Sequence, residues 1–188
     1  MNSVIDNLLS RTSIPKATGP APSDEQLEIL LQAAGRACDH KRLRPYRFIK
    51  IQGDDALAKF GQLMVASQTE LKGELESELA DKLSKKPFRA PLIVAVVGSV
   101  QDEPKVPEIE QIITAGCAAQ LMVSAAHALG LAAMWRSGNM MYTETMARGM
   151  GLAENESMVG LIYLGANPVG RSPAPVAFDS KEYLSEFN

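Results

Sequence analysis

The sequence predicts an α+β fold, and three observations support this class. Helical and strand patterns are mixed along the chain, the strongest strand patterns are apolar enough to be central, and their spacing is too irregular for repeated β-α units. We expect about four strands and five or more helices. At 188 residues, with 46% hydrophobic and 22% charged residues, the chain is predicted to form one soluble domain over residues 1–188.

The helices of the first half are predicted from their start signals. A hydroxyl followed by an acid favours a helix from Ser3 to about Ser10, and the capping-box pattern Ser23-Asp-Glu-Gln26 begins a second one. Asp54 can cap a long helical region. Its later part, residues 71–83, is rich in Glu and Lys, so we expect either a mobile flap or a plain surface helix there.

Strands are predicted from alternation and from apolar runs. Apolar and polar residues alternate over Tyr46–Ile51, and continuous apolar runs bounded by turn residues indicate three further strands. These runs are Pro91–Gly98, Leu131–Trp135 and Ser157–Leu164. A short helix ended by glycine is predicted over Thr143–Gly149.

A central helix from Ile112 to Gly130 is the element around which the others are arranged. It is apolar or small on nearly every side, so we predict that it is mostly buried, with Cys117 as a small buried hydrophobe. Its polar residues argue against a membrane span. They form one stripe, Gln120, Ser124 and His127, in which His127 is expected to be a satisfied structural histidine.

Two polar turns combine a cation with hydroxyl groups, which is typical of phosphate binding: Arg11-Thr12-Ser13 and Arg136-Ser137-Gly138. Arg136 could equally be a surface residue on a loop. Basic residues are also dense over 36–50, where six Lys or Arg face only Asp39. An anionic group could bind there, a solvated loop is the alternative, and nucleic acid is disfavoured because the whole chain has a net charge of −3.

Several classes of function are disfavoured by missing motifs. The sequence has no GxGxxG after a strand, no GxxxxGK[ST], no HExxH and no GxSxG. Two histidines and two distant cysteines make a metal centre or a disulfide framework unlikely. The N-terminus lacks the pattern of a signal peptide, so we expect a cytoplasmic protein. A protein with phosphate-type cations but no evident nucleophile or acid/base pair often uses a cofactor, and flavin mononucleotide (FMN) suits these residues.

Six segments, in order along the chain, together resemble the nitroreductase family and its small YdjA-like branch. They are Arg11-Thr12-Ser13, Ala34 to Lys41, Arg44 to Phe48, Pro87 to Val94, Gln111 to Cys117 and Trp135-Arg136-Ser137-Gly138. The resemblance implies a central, mainly antiparallel sheet flanked by helices, in a homodimer with FMN at the subunit interface. It also implies an NAD(P)H oxidoreductase that transfers hydride through flavin N5 to a nitroaromatic, quinone or similar small acceptor.

The resemblance also implies roles for individual residues. Within one subunit, FMN would be bound by Arg11, Thr12, Ser13, Trp135, Arg136, Ser137 and Gly138. Arg36 and His40 would reach the FMN of the partner. The nicotinamide dinucleotide would lie near Ala125, Ala126, His127, Ala128, Leu129 and Gly130. Thr12 stands where the family commonly has a second arginine. The alternatives are a non-catalytic flavin carrier or sensor, and a scaffold whose basic loop binds an acidic partner.

Overall fold

The computed structural model describes residues 3–170 and 173–187, and it confirms the α+β class. At its centre is an antiparallel sheet of four strands in the order β1-β2-β4-β3. The strands are β1 Tyr46–Gln52, β2 Leu92–Ser99, β3 Leu131–Arg136 and β4 Glu156–Ala166. All four strand predictions are therefore confirmed, each to within one or two residues at most ends.

Six α-helices surround the sheet in the described part of the chain. They are α1 Ser3–Ser10, α2 Asp24–Ala34, α3 Asp54–Lys72, α4 Ser77–Ser84, α5 Glu108–Ala128 and α6 Glu144–Gly149. The capping box before α2 is confirmed, because Ser23 and Gln26 exchange both hydrogen bonds. Asp54 is the first helical residue of α3 rather than its cap, a position that Gly53 occupies.

The sheet is buried on both faces, and β2 shows why. Its odd-numbered residues from Ile93 to Val97 enter the core beneath α3 and α6, whereas Leu92, Val94 and Val96 enter the core beneath α2 and α5. All six side chains are at most 2% exposed. A continuous β-branched run is what such a doubly covered strand requires.

The region after Gly73 is a separate helix, α4, which is docked at its C-terminal end. Leu83 is buried, and Gly61 of α3 lies so close to the backbone of Ser84 that a side chain at this position would overlap it. This contact favours the surface-helix alternative at the C-terminal end of α4.

Helix α5 is less buried than its composition predicts. The prediction that Cys117 is a buried hydrophobe is wrong, because its side chain is exposed. Ile109 and Ile113 are 64% and 57% exposed and continue the same stripe at i, i+4, i+8 spacing. By length and composition α5 could span a membrane, but its other face is packed against the sheet and α2, as in the core helix of a soluble protein. The single chain thus leaves one apolar face of α5 uncovered.

An ion pair fastens the outer strand β1 to β4 across the intervening strand. Arg47 donates through Nε and Nη2 to the two carboxylate oxygens of Glu156, at 2.6 and 2.7 Å, and Glu156 also accepts from the backbone N–H of Ala153 at 3.0 Å. The hydrogen bonds from Arg47 lower the pKa of Glu156 from 4.5 to about 2. The carboxylate is therefore stabilised in its charged form.

We expect Glu156→Gln to lower the free energy of unfolding by about 2 kcal/mol at pH 7, because it removes the charge from a bidentate pair whose carboxylate is shielded. In the wild type this stabilisation is complete above pH 4.5 and is lost as the pH falls toward 2, since the folded pKa lies below the unfolded one. Urea unfolding between pH 7 and pH 3 would measure both effects. Glu78→Gln, which breaks an exposed pair with Lys82, is the control and should change stability by less than about 0.5 kcal/mol.

A candidate ligand site at the end of strand β3

Strand β3 carries the first part of the site. Its last residue is Arg136, which pairs with Leu161 of β4, so the arginine belongs to the strand rather than to the turn. The alternative of a surface residue on a loop is therefore wrong. Pairing within the sheet fixes the backbone of Arg136, and its side chain is only partly exposed. Ser137 and Gly138 follow in the turn.

The N-terminal segment that follows the polar turn Arg11-Thr12-Ser13 lies against β3. The backbone N–H of Ile14 donates to the carbonyl of Ala133 at 3.0 Å, and the Arg136 guanidinium donates through Nη2 to the carbonyl of Pro15 at 2.6 Å. Arg11, Thr12 and Ser13 immediately precede this junction and line a separate cavity with residues 173–176. Residues about 120 positions apart in the sequence thus meet at one place.

A cavity of about 300 Å³ opens at this end of the sheet. Its apolar walls combine flat and flexible side chains: Met64, Met134, Trp135, Met140, Met141, Leu161 and Tyr163. Its polar contributors are Lys86, Arg89, Arg136 and Ser137. Thioether side chains adapt their shape, and the indole and phenol rings are rigid and flat. The cavity therefore joins an apolar slot to a cationic end.

Lys86 and Arg89 are site residues that the sequence analysis missed. Burial lowers the pKa of Lys86, and the charges of Arg89 and Arg136 lower it further. The pKa of Arg136 is also lowered, first by burial and then by Arg89. The only available signal was that two cations flank Pro87-Phe88 just before the buried strand β2, and that pattern is not specific. Three mutually repelling cations in one cavity create a strong preference for an anion.

Arg136 is held in the cavity by its neighbours, yet one of its donors has no partner. The guanidinium lies over the ring of Tyr163, 5.2 Å from its centroid. Burial raises the pKa of Tyr163 to about 12, so this ring is neutral at physiological pH. Within the described residues, Nε of Arg136 is buried and makes no hydrogen bond. A buried cationic donor without an acceptor is costly, so this position suits a ligand oxygen.

Trp135 lies on the other side of the strand end and packs against two glycines. A side chain at Gly160 of β4 would overlap the indole, and one at Gly116 of α5 would come to 3.7 Å from its Cη2 atom. The two glycines leave the space that the indole occupies. Trp135 thus connects the wall of the cavity to the exposed half of α5.

The C-terminal end of α5 lies beside α1. Nε2 of His127 is 3.1 Å from Oγ of Ser10, and Nδ2 of Asn7 donates to the carbonyl of Ser124 at 3.2 Å. Burial lowers the pKa of His127, and the charge of Arg11 adds to this effect. These contacts agree with a structural histidine. Within the stretch Ala125–Gly130, Ala126 is fully buried. Only the other five residues of this stretch can contact a dinucleotide.

Arg36 and His40 lie at the opposite end of α5. Nδ1 of His40 is 3.0 Å from the carboxylate of Glu110, and Thr114 donates to the carbonyl of Cys38 at 3.1 Å. Seventeen residues of helix separate Glu110 from His127, which corresponds to about 25 Å. Within one chain, neither Arg36 nor His40 lines the cavity at the end of β3, and His40 pairs with Glu110.

The fold and the site define an α+β protein with a flat, apolar, cation-ended cavity at the edge of an antiparallel sheet. Comparison with known proteins shows which family this is. The model of the nitroreductase family matches residues 8–166. The chain belongs to the nitroreductase family, a family of oxidoreductase enzymes.

Curated relatives match over nearly their full length. The chain is 33% identical over 183 residues to a protein of Escherichia coli (strain K12) named "Putative NAD(P)H nitroreductase YdjA", with 97% of this chain and 98% of the relative covered. It is 32% identical over 179 residues to a "Putative NAD(P)H nitroreductase" of Haemophilus influenzae, with 95% and 96% covered.

Solved structures share the fold. A nitroreductase-like family protein from Bacillus cereus matches with a TM-score of 0.80 and 20% identity, covering 100% of this chain and 97% of the other. A nitroreductase with bound FMN from Bacteroides fragilis matches with a TM-score of 0.75 and 18% identity over 100% of both chains. At these identities the likeness concerns the fold.

Proposed function

We propose that this protein is a homodimeric, FMN-dependent NAD(P)H oxidoreductase that reduces a nitroaromatic, quinone or similar electron-poor small molecule. The observation that carries the proposal is the cavity at the end of β3, where Lys86, Arg89 and the buried Nε of Arg136 surround space next to flat apolar walls. The full-length relatives with NAD(P)H nitroreductase names support it.

The donor set fits the parts of FMN. A phosphate dianion suits the convergent cations, since arginine binds phosphate through paired, charge-assisted hydrogen bonds. The hydroxyl of Ser137, which lines the same cavity, suits a polyhydroxy chain. Trp135 and the methionines offer the apolar slot that a flat ring requires. Bound FMN would supply one chemistry, the exchange of a hydride between NAD(P)H and the acceptor.

A homodimer would complete the site. The exposed stripe of Ile109, Ile113 and Cys117 on α5, together with the exposed apolar residues of α1, is a surface that a second copy can bury. In a two-fold dimer the same surface packs on itself. If the α5 helices pack antiparallel, the N-terminal end of one meets the C-terminal end of the other. Arg36 and His40 then lie beside Arg11 and Trp135 of the partner, in agreement with the roles that the resemblance implies.

The protein residues would bind and orient the reactants rather than donate electrons. Arg136, fixed by Pro15 and Tyr163, would hold the phosphate, and Lys86 would place positive charge in the cavity, where it favours an anionic reduced ring. The exposed residues at the end of α5, including Ala128 and Gly130, would border the dinucleotide. Thr12, whose hydroxyl donates to the carbonyl of Pro173 at 3.2 Å, would contribute a hydroxyl where the family commonly has an arginine. The cytoplasm is the compartment we propose.

The visible absorbance spectrum of the purified protein tests the proposal. We expect the bands of bound flavin, and under anaerobic conditions we expect NADH or NADPH to bleach them before an added quinone restores them. Flavin that binds but does not bleach would favour the carrier or sensor. A colourless protein that fails to take up added FMN would overturn the proposal and favour the scaffold.

A further inference from the structure

The basic loop of residues 39–44 carries charge that the proposed flavin site does not use. It contains Lys41, Arg42 and Arg44 between His40 and the start of β1. Lys41 is paired with Glu103 at 2.8 Å. Within residues 3–170 and 173–187, neither Arg42 nor Arg44 forms an ion pair, and both are exposed. Two cations of this loop are therefore free to meet a ligand.

The loop holds these cations in a defined backbone conformation. The φ angles of Lys41, Arg42 and Arg44 are 61°, 59° and 49°, in the left-handed region that residues with side chains usually avoid. The carboxylate of Asp39 stabilises this conformation by accepting from the backbone N–H groups of Leu43 at 3.1 Å and Arg44 at 2.7 Å. The only acidic side chain of the loop, Asp39, therefore hydrogen-bonds to backbone N–H groups of the loop.

The location of the loop indicates which ligand its arginines can contact. This inference rests on the proposed function, in which the antiparallel dimer places His40 next to the flavin of the partner. Arg42 and Arg44 follow His40 after a tight turn, in which the N–H of Arg42 donates to the carbonyl of Asp39 at 3.2 Å. Because they lie two and four residues after His40, they would stand at the outer edge of the same pocket in that dimer. A dinucleotide whose nicotinamide lies on the flavin would extend its adenosine end out of the pocket, toward that edge.

We propose that Arg42 and Arg44 bind the 2′-phosphate of NADPH and make the enzyme prefer NADPH over NADH. The 2′-phosphate is a dianion at the adenosine end of NADPH, and NADH lacks it. A guanidinium can bind two phosphate oxygens at once, which a solvated lysine does less well. The preference thus comes from a loop outside the flavin cavity.

The test combines steady-state kinetics of the FMN-loaded dimer with direct binding of adenosine 2′,5′-bisphosphate, using 5′-AMP for comparison. The variants are Arg42→Asn, Arg44→Asn and the double variant, because asparagine removes the charge and tolerates a positive φ. We expect the double variant to raise the KM for NADPH about tenfold and to weaken the bisphosphate similarly, with the KM for NADH changed less than about twofold. Arg148→Gln, an exposed arginine on α6, is the charge control.

Equal effects on NADPH and NADH, or equal binding of the bisphosphate and 5′-AMP to the wild type, would overturn this inference while leaving the flavin enzyme intact. Failure of the proposed function has a different signature, because the flavin would then be absent or would not bleach with either dinucleotide. The bisphosphate binding measurement does not depend on turnover, so it decides the role of the loop in either case.

Discussion

Arg136→Ala should weaken FMN binding by about 30- to 100-fold, so that the variant purifies largely without flavin. The arginine is one of three cations of the cavity, and its buried Nε has no acceptor among the described residues. Losing a charge-assisted bond to phosphate costs about 2–3 kcal/mol. Fluorescence titration of the apoprotein with FMN would give the affinity, and thermal unfolding would show whether the fold is retained.

Arg136→Lys separates the charge from the guanidinium geometry. Lysine keeps the charge but cannot make a bidentate contact, so we expect an intermediate loss of about tenfold. Arg148→Ala should leave the flavin content unchanged, since Arg148 lies on α6 and does not line the cavity. An alanine variant at 136 that retains full flavin occupancy would mean that the phosphate is held elsewhere.

Ile113→Glu should convert the proposed dimer into monomers and release the flavin at the same time. Ile113 is 57% exposed in the single chain, on the face of α5 that a second copy would cover. A two-fold interface buries each substitution twice, and an unpaired buried charge costs about 3–5 kcal/mol. The dissociation constant should therefore rise by more than about a thousandfold. Sedimentation velocity and the ratio of flavin to protein absorbance measure the two results.

Leu71→Glu is the matched control for this variant. Leu71 is 47% exposed near the end of α3, on the opposite side of the sheet from α5. It should leave both the assembly and the flavin unchanged. A stable dimer with full flavin in Ile113→Glu would show that α5 does not form the interface. A monomer that retains its flavin would show that one chain suffices for the site.

Much of the fold could be predicted because its signals are local. The capping box at Ser23 and Gln26 is complete within four residues, and the run Leu92–Ser99 is apolar enough to specify a strand covered on both faces. The wrong prediction concerns how buried a side chain is in the folded chain. Cys117 was expected to be buried because α5 is apolar on nearly every side, yet one face of that helix is exposed in the single chain.

The site was partly predictable for the same reason. Arg11 and Arg136 belong to short polar turns that can be recognised in the sequence, although the sequence did not show that Arg136 ends a strand. Lys86 and Arg89 carry no comparable signal, since a lysine and an arginine before a strand are ordinary surface residues in most proteins. They become part of a cavity only because the turn between α4 and β2 lies beside the end of β3 in the folded chain.

Patterns of neighbouring residues, together with motifs in order along the chain, are enough to predict the strands, most of the helices, the α+β class and the family. Only the packing of the chain shows that Lys86, Arg89 and Arg136 meet, that neither Arg36 nor His40 lines the same cavity, and that one face of α5 is left uncovered. Charge repulsion, burial and unpaired donors depend on distances in space, and no local pattern in the chain encodes them.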